Sequence, residues 1–224
     1  MMLHIPAVLN KEQLKTIMGL LVDAPFVDGK FSAGQTARRV KNNRELDQTS
    51  QQAKQLDQLV ISALSGNKIF RSATLPLRVS QPFFARYSKG MSYGSHIDDP
   101  VMGGEAGRYR SDISLTIFLN GPENYEGGEL SIQSTFGVNE IKLPAGDVIL
   151  YPSSSLHQVN TVTSGERIVS VLWIQSLVRD AASREILFNL DLAREKMQYS
   201  NPEASETRCV DYAYTNLVRM WSEV

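Results

Sequence analysis

Three histidines occur in the chain, and two of them, His96 in YGSHIDDP and His157 in SSSLHQVN, lie in a region of short apolar runs. In an extended strand alternate side chains share a face, so His96 and Asp98 can project together toward one ion while Asp99 points away. Adding His157 from a later strand gives two imidazoles and one carboxylate. That donor set suits iron(II) and leaves coordination positions open, which makes such a site catalytic. A His-x-Asp tripeptide alone is weak evidence and reads more readily as a surface loop, so the argument leans on Arg167, ten residues after His157 at the start of RIVSVLWI. A planar guanidinium takes a carboxylate through two parallel hydrogen bonds, the anchor a dicarboxylic cosubstrate needs.

These residues need a scaffold that brings them together. From Leu77 onward, runs rich in Val, Ile, Leu, Phe and Tyr are separated by Gly, Pro, Asn and Ser, and they predict strands at 77–88, 93–97, 112–119, 128–133, 138–143, 147–151, 156–162 and 167–176. About eight such strands suggest a jelly-roll sandwich or barrel. In a simple hairpin closed at Thr163 to Glu166, Arg167 would oppose Val162 and lie about 16 Å from His157. The chemistry therefore requires His157 and Arg167 to sit in facing sheets.

Helices are expected at both ends. Asn10 with Gln13 has the form of a capping box, followed by Leu14, Ile17, Met18 and Leu21 at helical spacing, which predicts a helix over 10–23. A second is expected over 45–65, with Leu46, Leu56, Leu59, Val60 and Leu64 as its apolar face and Gly66 as its stop. Two more are expected from Arg184 to Met197 and from Glu203 to Trp221. The expected class is thus mainly β with flanking helices. It divides into a helical segment 1–77, a catalytic jelly roll (double-stranded β-helix) 78–178 and a helical segment 179–224.

With 23 basic and 24 acidic residues and no long run of one sign, the chain lacks the electrostatic footprint of a nucleic-acid binder. No stretch approaches the roughly 20 apolar residues that span a bilayer, and MMLHIPAVLNKEQL does not read as a secretion leader. One cysteine, Cys209, cannot form an intrachain disulfide, and a cytoplasmic location is expected.

The ordered series RYSKGMSYGSHIDDP, SLTIFLN, YEGGELSI, PAGDVILYPSSSLHQVN and SGERIVSVLWIQS resembles the catalytic domain of prolyl-4-hydroxylase-type 2-oxoglutarate oxygenases over roughly residues 78 to 178. More closely, and through the whole chain, the sequence resembles bacterial PKHD-type hydroxylases. The resemblance implies His96, Asp98 and His157 as iron(II) ligands and Arg167 as the anchor of the distal carboxylate of 2-oxoglutarate. Tyr87 occupies a position from which a tyrosine often reaches the cosubstrate, although core packing would equally explain it. A second tyrosine of some relatives is replaced here by Phe118. Halogenating relatives carry a small residue where Asp98 stands, so hydroxylation is implied, with release of succinate and carbon dioxide. L-ascorbate as reductant and a link to bacterial iron homeostasis are implied in the same way.

Two other classes compete: an iron- or oxygen-responsive binding protein with little turnover, and a non-catalytic jelly-roll binding module. The substrate is left open between a protein side chain, a free amino acid and a small iron-chelating metabolite. A homo-oligomer through the C-terminal helices is one role for those helices. Trp173 is expected chiefly in the core, with pocket lining as its other role. Gly127 and Gly128 are expected to take positive φ, Asp147 to be a turn residue and His4 a surface residue without a partner. Arg108 and Arg110 are expected as solvated loop charges, and Cys209 as a small buried hydrophobe.

Overall fold

In the computed structural model, which describes residues 1–104 and 107–224, the chain starts with β1 (Leu3–Ile5) and α1 (Lys11–Val22). The Asn10 side chain accepts from the Gln13 amide and the Gln13 side chain accepts from the Asn10 amide, so the expected box is formed. The segment that follows holds β2 (Phe26–Asp28), two 3-10 turns at Gly29–Ser32 and Ala37–Arg39, β3 (Lys41–Asn42) and β4 (Arg44–Leu46). Residues 1–77 are therefore not only helical. The second helix, α2 (Gln51–Gly66), begins later than expected, because Asp47 accepts from the amide and hydroxyl of Thr49 in a turn and Ser50 then caps the helix. Asn67 ends α2 in an extended conformation and caps α3 (Lys68–Thr74), a helix the sequence pattern missed.

Next come β5 (Pro76–Val79), β6 (Phe83–Ser88), β7 (Ser92–His96), β8 (Val101–Met102), β9 (Tyr109–Arg110), β10 (Ile113–Phe118) and β11 (Tyr125–Gly127). They are followed by β12 (Leu130–Ser134), β13 (Gly137–Ile141), β14 (Val148–Pro152), β15 (His157–Val159), β16 (Val162–Ser176), α4 (Ala181–Ser200) and α5 (Ser205–Trp221). The single strand expected at 77–88 is two strands, β5 and β6, broken at Gln81-Pro82 and lying end to end along β16. The break is bridged by hydrogen bonds in both directions between Ser80 and Trp173.

Among the described residues the strands form two principal antiparallel sheets. The larger has nine strands, with the main order β1-β14-β10-β16-β6-β4-β2 and with β11 and β5 also paired to β16. The smaller has the order β13-β12-β15-β7-β3. The expected jelly-roll architecture is present.

Alternation along the central strands of the larger sheet explains their unbroken apolar appearance. On the outer face Ile113, Leu115 and Ile117 of β10 and Ile168, Leu172 and Ile174 of β16 join Ile17, Leu21, Leu56, Val60 and Phe70 from the helices in one core. On the inner face Phe118, Val169, Ala85 and Ile149 meet Leu130, Ile132 and Val159 of the smaller sheet in a second core. A strand covered on both faces needs no polar face, so its sequence loses the alternating pattern.

Candidate active site

His96 ends β7 and His157 opens β15, and the two are direct cross-strand partners in the smaller sheet. An irregularity in that pairing puts Tyr93 opposite Val159, so β7 carries an extra residue and both rings face inward. Ring centroids lie 4.3 Å apart. Asp98 sits just beyond β7, with Oδ1 4.0 Å from His96 Nε2 and Oδ2 3.9 Å from His157 Nε2. One donor atom from each of the three residues lies within 4.8 Å of the others.

Both imidazoles are oriented from behind. His96 Nδ1 is 2.8 Å from the Gly94 carbonyl oxygen and His157 Nδ1 is 2.9 Å from that of Ser155, so each Nδ1–H donates and each Nε2 is left bare. Burial, helped by the neighbouring His157, holds His96 down at about 4, which keeps its ring neutral and able to bind a cation. Ser114 Oγ donates to Asp98 Oδ2 at 2.5 Å and lies 2.8 Å from Ser153 Oγ. Ser114 is on the inner face of β10, so this bond ties the carboxylate to the opposite sheet. Sequence reasoning passed over Ser114, since a serine inside SLTIFLN carries no signal until the strand's inner face is known.

Arg167 belongs to β16 of the larger sheet and is 1% exposed. His157 and Arg167 therefore stand in facing sheets, as the chemistry required. The guanidinium carbon lies 5.2 Å from the ring centre of Tyr87, its direct cross-strand partner, and 5.6 Å from that of Phe118. Close approach is allowed by Gly128, at φ +67°, where a Cβ would stand 3.2 Å from Arg167 Cδ and 2.9 Å from a Val162 methyl. Among the described residues no carboxylate pairs with Arg167, and its buried Nε and the buried Tyr125 hydroxyl have no hydrogen-bond partner. A buried cation without a protein counter-charge is costly. An anionic ligand would supply the missing charge, and the chemistry suits a dicarboxylate, because Arg167 and the His-Asp-His cluster line one cavity of about 790 Å³.

Tyr87 and Trp173 line the same cavity. Burial raises the Tyr87 hydroxyl, which stays protonated as a donor. Trp173, expected chiefly in the core, packs edge-on against Phe83 and has a buried indole N–H without a partner among the described residues. Lys41, Glu45, Ser32 and Tyr93 also line the cavity and were not singled out from the sequence.

Several other expectations change. His4 does have a partner, because it lies in β1 and its Nε2 is 2.7 Å from Asp147 Oδ2. Asp147 precedes β14 as a turn residue and also accepts from the Ala7 amide. Cys209 is exposed rather than buried, because α5 turns that face away from α4. Arg110 is not simply solvated, since it pairs with Asp112 at 2.6 Å and Glu223 at 3.3 Å. Gly127 and Gly128 take positive φ as expected.

Residues 82–175 match the family model described as the 2OG-Fe(II) oxygenase superfamily. A PKHD-type hydroxylase of Thioalkalivibrio sulfidiphilus is 50% identical over the full length of both chains. The chain belongs to the PKHD-type hydroxylases. A second such relative, from Aliarcobacter butzleri, is 45% identical to this hydroxylase, again over all of both chains. Among solved structures, a Trichoplax adhaerens prolyl hydroxylase in complex with a hypoxia inducible factor peptide has a TM-score of 0.55 at 19% identity, with 83% of this chain and 86% of that one covered. HygX from Streptomyces hygroscopicus, with nickel, 2-oxoglutarate and hygromycin B bound, has a TM-score of 0.51 at 14% identity, covering 76% of this chain and 81% of that one. At these identities the two structures speak for the fold. By family, this hydroxylase is an iron(II)- and 2-oxoglutarate-dependent oxygenase.

Proposed function

We propose that His96, Asp98 and His157 hold the iron, that Arg167 holds the distal carboxylate of 2-oxoglutarate with Tyr87 beside it, and that the enzyme hydroxylates a C–H bond of a substrate admitted to the same cavity. One observation carries the reading: a fully buried guanidinium, without a counter-charge among the described residues, shares a cavity with two imidazoles and a carboxylate.

When bound, iron supplies the chemistry that couples reduction of dioxygen to oxidative decarboxylation of 2-oxoglutarate, giving succinate and carbon dioxide, with the second oxygen atom going to the substrate's new hydroxyl. The chain's own residues do the rest. The Gly94 and Ser155 carbonyls hold the two imidazoles in the tautomer that offers Nε2, and Ser114 fixes the direction of the Asp98 carboxylate. Tyr87 and Phe118 keep water from the Arg167 fork, which strengthens its pairing with a carboxylate. Trp173 and Phe83 present an aromatic wall on the substrate side.

The test is anaerobic titration of the metal-free protein with iron(II) and 2-oxoglutarate, read by the weak visible charge-transfer band of the chelate. A band is expected in the parent, weakened in Arg167→Ala and absent in His157→Ala. A parent protein that binds neither would favour the non-catalytic binding module.

The same proposal includes ascorbate as reductant, a cytoplasmic location, a small molecule or a protein side chain as substrate, and the division at 1–77, 78–178 and 179–224. It also includes a homo-oligomer through α4 and α5, supported by the exposure of Tyr212 and Met220. Light scattering that finds only monomer would remove that part. No helix among the described residues is long and apolar enough to cross a membrane.

A further inference from the structure

The segment between Gly29 and Leu46 lies outside the stretch matched by the superfamily model and forms one wall of the cavity. It passes from one sheet to the other: Lys41 of β3 pairs with Tyr93 in the smaller sheet, and Glu45 of β4 pairs with Ala85 in the larger. Lys41, Asn43 and Glu45 alternate inward, a pattern that puts three polar side chains where a sandwich ordinarily buries apolar ones.

Lys41 Nζ is 2.5 Å from Glu45 Oε1 and donates to Ser32 Oγ at 2.8 Å, and Ser32 in turn donates to Glu45 Oε2 at 2.5 Å. Lys41 and Glu45 are 6% and 7% exposed, and both face the cavity. As a stabilising device this arrangement is poor, because taking two ions out of water commonly outweighs their attraction, and an apolar pair of similar volume would serve the fold as well. It also stands next to the chemistry. The ammonium is 5.1 Å from the centre of the Tyr93 ring, and that ring stacks on His96 at 3.6 Å.

The other charges of the cavity wall have their own assignments. Asp98 belongs to the metal cluster and Arg167 to the cosubstrate, while Arg78 and Asp99 are exposed. Lys41 and Glu45 remain, and together they are net neutral. A lone anion drawn to Lys41 would meet Glu45, and a lone cation drawn to Glu45 would meet Lys41. A group bearing both charges on neighbouring atoms meets neither penalty. Ala33 and Ala37 line the cavity beside the pair with nothing larger than a methyl, while Gly34 makes room for the Asp99 carboxylate.

We propose that Lys41 and Glu45 form the recognition site for the head group of a free α-amino acid, with its ammonium on Glu45 and its carboxylate on Lys41. The amino acid's side chain then carries the bond to be oxidised. The α-ammonium and α-carboxylate are held one carbon apart and can lie antiparallel on the protein's own ion pair. This choice of substrate class rests on the iron and 2-oxoglutarate reading given above.

The experiment is calorimetric titration of the protein, loaded anaerobically with iron(II) and 2-oxoglutarate, with each proteinogenic L-amino acid, and then with the N-acetyl and carboxamide forms of any that bind. At least one free amino acid should bind, and each capped form should bind at least roughly tenfold more weakly, as loss of a charged hydrogen bond requires. Glu45→Gln should weaken the free amino acid by a similar factor and erase the difference between it and its N-acetyl form. Should 2-oxoglutarate bind while no amino acid does at millimolar concentration, the inference falls and the oxygenase reading stands. Equal binding of the free and N-acetyl forms to the parent protein overturns it without any variant. Parallel loss of 2-oxoglutarate and amino-acid binding in Glu45→Gln overturns it as well, because the pair would then be holding the wall rather than the substrate. A parent protein that fails to bind 2-oxoglutarate would bring down the underlying reading together with the inference.

Discussion

The larger sheet is covered on both faces, by helices outside and by its partner sheet inside, whereas the smaller sheet leaves much of its outer face in water. Leu115, Leu172 and Ile174 in the first are 0% exposed, and Val138 in the second is 65% exposed. The proposed cosubstrate anchor stands on the covered sheet and two of the three proposed metal ligands stand on the other. A guanidinium gains strength as an anion binder when water is excluded, so it profits from the thicker layer. Imidazoles need only a fixed tautomer and a clear lone pair, which two backbone carbonyls supply at the edge of a thinner one. Asp98 joins the two regimes, because it follows a strand of the smaller sheet and is held by a serine of the larger.

The strongest test of this contrast is Arg167→Met. It should lower 2-oxoglutarate affinity by roughly 100-fold or more, as truncating one member of a buried charge pair does. It should also raise the melting temperature of the ligand-free protein, since an unpaired buried charge is removed. Unchanged affinity by calorimetry would show that the cosubstrate binds elsewhere. Next in size is a pair of truncations, one in each sheet. Leu172→Ala should cost about 2–5 kcal/mol in chemical denaturation. Val138→Ala should stay within about 0.5 kcal/mol. Similar costs would mean the two sheets are not differently loaded.

Ser114→Ala probes the link between the sheets. It should weaken metal binding by about 10–100-fold, as loss of a hydrogen bond behind a ligand does, with the fold intact by circular dichroism. Cobalt(II) titration gives the readout, and parent-like affinity would leave Asp98 to orient itself. The smallest effect concerns pH. His96 is held down at about 4 in the native protein and titrates near 6.5 when unfolded. The unfolded chain takes up the proton first, so its share of metal-free stability is complete above about pH 6.5 and is lost as pH falls toward 4. Replacing His96 with Gln should flatten the melting-temperature slope across that window, and an unchanged slope would show that burial does not govern this ring.

What the sequence disclosed, it disclosed through scarcity and local chemistry. Two histidines in the β region, one of them two residues from an aspartate, marked the three side chains that the fold brings together, and Asn10 with Gln13 marked the first helix, because a capping box is specified within four residues. The segment 29–46 was not legible. Its strands are two and three residues long, and KNNRE has the composition of an exposed loop, so the inward alternation of Lys41, Asn43 and Glu45 emerges only once both sheet edges are in place. Asn67 hid the third helix by ending one helix and capping the next. Cys209 was misplaced because a free cysteine is ordinarily a small buried hydrophobe, and on α5 it is exposed.

The buried Arg167 also bears on how long the protein survives. A ligand that binds only the folded form adds about 2.7 kcal/mol at one hundred times its dissociation constant. That increment cuts the unfolded fraction open to proteases roughly 100-fold. Under the role proposed for Arg167 its counter-charge is 2-oxoglutarate, and supply of that cosubstrate would then set the folded fraction of the enzyme as well as its rate.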